Sequence, residues 1–366
     1  MKKIVLLICL SFFYSFSQEK ESTYFDVQLF RGNIIKHSED VGHLISGHPD
    51  GFMLSYNWKT FGKKEWQQVY NYPDYGISFH YLDFKNHYLG YNVALGLHYN
   101  FYFFNRNLMF RISQGIGMTS NPYDKVTNNK NNAFGTKVMD NTYFMLQYKK
   151  ENLFNRIGFQ AGFMLTHFSN GRFKAPNSGI NTIALNVGLN YNLTNEQQEF
   201  IVDSLPSRAS YKERIKYNIA FRTGISEGPV PHLGQRQFYH IGLYADKRIG
   251  RKSALQLGTD IFFSRYLKDY IEFVSVAFPP GHESYTEPGT DYKRVGLFVG
   301  HELFINKLSI ETQLGYYVYK PFDYEIDIYQ RIGAKYYLYK NIFTGVGLKT
   351  HGGRAEAIEA TLGVRL

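Results

Sequence analysis

The sequence predicts an all-β chain, an antiparallel transmembrane β-barrel of about 16 strands, on three observations. Segments that alternate apolar and polar residues with period two recur from end to end. The composition is rich in Tyr (31), Phe (31) and Gly (33) while the mean hydropathy is negative, at -0.34. After the N-terminus no window approaches the ~20 consecutive apolar residues that a spanning helix needs. A barrel reconciles the three, because outward apolar residues alternate with inward polar ones and the mean cancels. A soluble β-sandwich also alternates, but it rarely places so many aromatic residues on so many long strands.

In chain order, residues 1–17 read as a secretory signal peptide. Met1-Lys2-Lys3 precedes an apolar stretch from Ile4 to Phe13, and Tyr14-Ser15-Phe16-Ser17 leads into polar residues. The only cysteine, Cys9, lies inside this segment, and Ile8 before it is not the small residue a lipoprotein requires, so the mature chain has no thiol or disulfide chemistry. Without Lys2 and Lys3 the chain keeps 39 Lys and Arg against 31 Asp and Glu, a net charge of +8. That balance suits an anionic partner without choosing between lipopolysaccharide, nucleic acid and general surface charge.

Eight alternating segments follow, near 23–32, 50–58, 74–82, 88–103, 107–118, 141–150, 155–169 and 180–193. The stretch 194–215 lacks a strand period and reads as a polar linker or periplasmic excursion. Eight more segments occupy 216–366, near 216–225, 238–247, 253–265, 291–303, 307–319, 326–338, 341–350 and 356–366. The chain therefore divides into residues 18–193 and 216–366, and the matching strand numbers leave open two eight-stranded units or one wide barrel. In the second half short joints alternate with longer loops, as they do in bacterial outer-membrane barrels; the first half fits less well, since 59–73 is long for a turn. From an upward first strand, the loop Asn170–Gly179 is external.

Parity then isolates a polar pair. In the segment 155–169 the odd row is Ile157, Phe159, Ala161, Phe163 and Leu165, and His167 and Ser169 continue it. In the next segment Asn181 heads the apolar row of Ile183, Leu185, Val187 and Leu189, close to His167 and Ser169. His351 and Glu359 form a second tempting pair, but on the inward rows, where the expectation is a structural role in a polar lumen network. Glu356 falls by parity on an outward row near the external rim, where it is a candidate orienting acid. The basic stretches Lys125–Lys130 and Arg172-Phe173-Lys174 are candidates for phosphate contact. No His, Asp or Glu cluster has metal-ligand spacing, and no glycine loop suits a nucleotide.

His167-Phe168-Ser169-Asn170, followed by Pro176-Asn177-Ser178-Gly179, resembles the outer-membrane lipid A 3-O-deacylase (PagL-like) family and its acyloxyacyl hydrolase relatives. The resemblance implies an outer-membrane serine esterase acting on lipid A of lipopolysaccharide, or on a related glycolipid of the outer membrane, with no cofactor and no nucleic-acid partner. It implies Ser169 as nucleophile, His167 as general base, and Asn170 with the N–H groups near Gly171 as the oxyanion element. Asn181 stands where the family has a glutamate. An amide accepts a hydrogen bond from the imidazole and fixes its tautomer, but it supplies no charge. Two other readings use the same residues: a phospholipase, and a non-catalytic pore or structural barrel that inherited the motif.

Overall fold

The alternation resolves into strands that close twice. The computed structural model describes residues 22–194, 198–202, 213–231 and 233–366; the segment read as a signal peptide lies outside them, as does much of the linker. The strands β1 Thr23–Ile35, β2 Asp50–Trp58, β3 Asp74–Asp83, β4 Tyr91–Phe103, β5 Leu108–Thr119, β6 Val138–Phe154, β7 Ile157–Ser169 and β8 Ile180–Asn192 form one antiparallel barrel in chain order. It closes by pairing β1 with β8, with Phe25 beside Tyr191 and Leu29 beside Val187. The strands β9 Lys216–Glu227, β10 Gln235–Arg248, β11 Ser253–Ser264, β12 Arg294–Ile305, β13 Leu308–Tyr319, β14 Ile328–Tyr339, β15 Ile342–His351 and β16 Arg354–Arg365 form the second, closed by β9 against β16. The alternative left open by the sequence is thus decided as two barrels of eight.

Each wall keeps its apolar row outside. Leu97 is 68% exposed and Leu185 63%, and Leu29, Leu95, Ile116, Leu257 and Val346 lie equally bare, values that a water-facing surface rarely sustains over a whole belt. The lumens are lined with buried side chains, which an eight-stranded barrel is narrow enough for side chains to fill. In the first, Arg111 is fully buried and donates to Asp26 at 2.8 Å, Ser55 at 2.7 Å and Asn100 at 2.7 Å. Towards the end that carries the β7–β8 connection, this network gives way to an apolar plug that includes Phe30, Met53, Phe84, Phe134 and Phe168. In the second lumen Arg331 bonds Asp260 at 2.7 Å and Glu359 at 2.6 Å, and Lys335 bonds Glu302 at 2.7 Å. Removing one partner of such a buried pair is costly, because the other charge is then left unpaired.

Two connections hold more order than alternation foretold. The 59–73 segment carries a short helix, Glu65–Val69. Within the segment read as a loop after the eleventh strand lies a helix, Tyr266–Ala277, whose Tyr266, Leu267, Ile271 and Val274 bury one face against Phe322. The loops at the plugged end of the first barrel brace one another: Ser178 N–H donates to Asn132 O at 3.0 Å, and Asn132 Nδ2 donates to Asp40 O at 2.6 Å. At the opposite end the two barrels touch, where Tyr70 OH donates to Phe304 O at 2.8 Å and Lys252 Nζ lies 4.6 Å from the Tyr70 ring centroid.

Candidate active site

Antiparallel register brings the polar residues of three strands together on the outer wall of the first barrel. Position 167 of β7 faces position 181 of β8 and position 142 of β6, while Ser169 faces Asp140. The odd row of β7 and the odd row of β8 both point outward, so His167, Ser169 and Asn181 crown an apolar stripe that includes Phe163, Leu165, Ile183 and Leu185. His167 Nδ1 lies 2.7 Å from Asn181 Oδ1. An amide oxygen accepts, so this contact puts the imidazole proton on Nδ1 and leaves the Nε2 lone pair free to act as a base.

Ser169 is only 6% exposed although its strand position faces outward, because the chain folds back over it. Gly179, with φ +66, packs between the two side chains: a Cβ built there lies 3.1 Å from His167 Cε1 and 3.1 Å from Ser169 Cβ. No hydrogen bond joins His167 to Ser169 among the described residues; catalytic contacts of this kind often close only around a substrate. Ser169 Oγ instead accepts from Gly171 N–H at 3.3 Å. Asn170 is used inside the loop: its backbone N–H donates to Asn177 Oδ1 at 2.8 Å and its Nδ2 to Lys174 O at 2.8 Å. Asn177 thus ties the Pro-Asn-x-Gly stretch to the residue after the serine, and Gly171 N–H is the donor turned towards Ser169 Oγ.

One acid in this neighbourhood escaped the sequence reading. Asp140 is outward-facing, lies opposite Ser169 in the ladder, and takes hydrogen bonds from Gln114 and, at 3.1 Å, Thr142 Oγ1. The sixth segment read from alternation begins at residue 141, one position too late to include it, whereas β6 begins at Val138.

Two expectations, for Glu356 and Arg172, are corrected, and the inward placement of His351 and Glu359 in polar networks is refined. Glu356 is fully buried in the second lumen, bonded to Arg294 and Lys349. A register shift there leaves Glu356 as the extra residue between Ala355, which faces Thr350, and Ala357, which faces Lys349. Such a bulge turns the side chain inward against the parity of its strand. His351 and Glu359 both point inward but are not partners, since His351 Nε2 bonds Tyr317 OH at 2.8 Å and Glu359 bonds His240 and Arg331, each at 2.6 Å. Arg172 is not offered to phosphate. Its guanidinium bonds Tyr324 OH at 2.9 Å and Glu325 at 3.2 Å. Burial opposes its charge, but Tyr266, Tyr324 and Glu325 outweigh that and raise its pKa.

The second lumen also holds a triad in outline, which the sequence did not reveal. His240 Nδ1 lies 2.6 Å from Glu359 and its Nε2 lies 3.1 Å from Ser264 Oγ. Ser264 Oγ donates to Glu356 at 3.0 Å and accepts from Arg294 at 3.0 Å, and all five side chains are buried. It is a fully buried hydrogen-bonded network inside the lumen, closed off from lipid and solvent. Among the described residues no cluster of His, Cys, Asp and Glu suits a metal.

Two family models match the chain. Residues 50–190 match lipid A 3-O-deacylase (PagL), and residues 215–366 match the C-terminal domain of acyloxyacyl hydrolase. The chain belongs to the PagL-like lipid A deacylase family. The junction between the two matches falls at the linker, so each model takes one barrel, and the candidate site lies on the barrel matched by the deacylase model. No curated protein matches the chain. Solved structures with some similarity include the outer membrane protein Omp33 of Acinetobacter baumannii, at 9% identity over 94% of this chain and 99% of that one, with a TM-score of 0.19. A triple mutant of the Rhodopseudomonas blastica porin matches at 8% identity over 95% and 99%, with a TM-score of 0.19.

Proposed function

We propose that the chain is an outer-membrane serine esterase that removes an ester-linked acyl chain from lipid A, or from a related glycolipid, through an acyl-enzyme. The observation that carries the reading is the 2.7 Å contact of His167 Nδ1 with Asn181 Oδ1 on the outer wall, beside Ser169 and above a bare apolar stripe. An acyl chain lying along Phe163, Leu165, Ile183 and Leu185 stays in lipid while its ester reaches the polar crown. Membership of the deacylase family supports both the substrate class and the membrane.

In this mechanism His167 Nε2 takes the proton of Ser169 Oγ as the oxygen attacks the ester carbonyl. The carbonyl oxygen becomes an oxyanion and receives Gly171 N–H, a donor of a kind worth ~3–4 kcal/mol in other hydrolases. Collapse breaks the bond to the sugar oxygen, which leaves as an alcohol with the proton held on His167 Nε2. Water then attacks the acyl-serine, again with His167 as base, and releases the fatty acid with Ser169 restored. Asn181 holds the ring in the productive tautomer throughout. Both lumens are filled with side chains, which weighs against an open pore. Ser169→Ala is expected to abolish deacylation, read by mass spectrometry of lipid A from cells carrying the protein, while the barrel keeps its heat-modifiable mobility. Undiminished deacylation in that variant rejects the assignment.

A further inference from the structure

The loop that follows Ser169 is held from outside its own barrel. Gly171 and Arg172 are consecutive left-handed residues, at φ +59 and φ 67. For Arg172 that conformation is disfavoured by about 1–2 kcal/mol, so it persists only where surrounding contacts fix it. Those contacts come from the second barrel. Glu227, the last residue of β9, donates its N–H to Arg172 O at 3.1 Å and accepts Ala175 N–H on its carboxylate at 2.7 Å. Its cross-strand neighbour Gln235, the first residue of β10, donates Nε2 to Phe173 O at 2.7 Å. Tyr324 and Glu325, between β13 and β14, hold the Arg172 guanidinium. Beneath them β16 comes so close that a Cβ on Gly171 would lie 2.3 Å from Ile358 Cγ1.

We infer that the second barrel is the positioning element of the first barrel's site: Glu227, Gln235, Tyr324 and Glu325 hold residues 171–175 so that Gly171 N–H stays aimed at Ser169. None of the four is a catalytic residue, because none touches Ser169 or His167. The inference rests on the esterase reading above and adds a function for the half of the chain that carries no part of the site. A clamp of this kind acts on the oxyanion donor, which matters most at the transition state, and leaves the acyl-binding stripe of β7 and β8 untouched. Loss of the clamp therefore lowers kcat and spares KM.

The test uses the full chain in membranes, with Glu227→Ala and Glu227→Gln beside the wild type. Glu227→Ala removes the acceptor of Ala175 N–H and is expected to lower kcat about 10- to 100-fold, the scale of a misplaced catalytic group, with little change in KM. The glutamine oxygen still accepts that bond, so Glu227→Gln is expected to recover most of the rate. A wild-type kcat in Glu227→Ala overturns the inference, and so does a loss that Glu227→Gln fails to recover in a correctly folded barrel. A second measurement needs no activity. Apart from Cys9 the chain has no cysteine, so Phe173→Cys with Gln235→Cys gives a unique pair for a short thiol-reactive cross-linker. An intramolecular cross-link in the double variant is expected, and its absence overturns the clamp. A cross-link together with no Ser169-dependent deacylation in the wild type rejects the esterase reading, and with it the clamp's role in catalysis, while the contact itself stands.

Discussion

Asn181→Asp is the substitution whose outcome discriminates most between an orienting amide and a bystander. The contact to His167 Nδ1 is already 2.7 Å, and Asp has nearly the shape of Asn, so the variant changes charge and little else. A neutral hydrogen bond of this kind contributes about 0.5–1.5 kcal/mol, and one to a charged group about 1.5–3 kcal/mol. The extra stabilisation is realised when His167 becomes an imidazolium, that is, in the transition states and not in the resting enzyme. A difference of ~1–2 kcal/mol corresponds to roughly a 5- to 30-fold increase in rate. It falls short of the ~10⁴-fold loss known when an amide replaces the triad acid of a serine protease, because there the amide favours the wrong tautomer. Here Asn181 already holds the productive one. The assay is kcat/KM for release of fatty acid from lipid A in mixed micelles, with Asn181→Leu as the companion that removes the acceptor. The expected order is Asp above Asn, and Asn above Leu. Equal rates for the wild type and both variants refute the orienting role.

Gly179→Ala places a methyl 3.1 Å from both His167 Cε1 and Ser169 Cβ at a left-handed position, and it is expected to lower kcat at least tenfold while the barrel still folds, checked by mass spectrometry of lipid A and by gel mobility. Glu356→Ala leaves Arg294 and Lys349 without their buried carboxylate; a loss of about 3–5 kcal/mol in unfolding stability is expected in denaturant titration, and a stability equal to wild type contradicts the paired arrangement. In planar bilayers neither barrel is expected to conduct as an open pore, and steady porin-like steps in single-channel recordings would contradict the filled lumens.

Much of the fold was legible because a strand's period is local. Parity alone put His167, Ser169 and Asn181 on the apolar row of their strands, and the register sets His167 opposite Asn181 and Ser169 opposite Asp140. Closure was not legible. Whether β8 returns to β1 or passes on to β9 is decided by pairings between residues such as Phe25 and Tyr191, far apart in the chain, and alternation is the same in either case. Glu356 shows the limit of parity itself, since one extra residue in β16 reverses the face of the side chain, and nothing in Arg-Ala-Glu-Ala-Ile announces a bulge. Asp140 was missed at a strand boundary, where loops and strands share residue types. The seam between the barrels had no sequence signal at all: Arg172 reads as an exposed loop cation until Tyr324 and Glu325 are seen beside it.

The two serine–histidine arrangements in this molecule separate hydrogen-bond geometry from chemical opportunity. Ser264, His240 and Glu359 form the better-aligned set, with a true carboxylate on the imidazole. Yet the Ser264 hydroxyl is already donated to Glu356 and accepts from Arg294, and all of these side chains are buried inside the lumen. Ser169 and His167 are the looser set, held by an amide, but their strand face opens on the apolar stripe where an acyl chain can lie. The first lumen is occupied by buried polar and aromatic side chains, so the face left to an acyl chain is the outer wall. A wall site in turn has no lumen to shape its loop, and the flank of a neighbouring barrel is the surface available to do so. The contacts of Glu227 and Gln235 with residues 172–175 put such a flank directly behind Ser169.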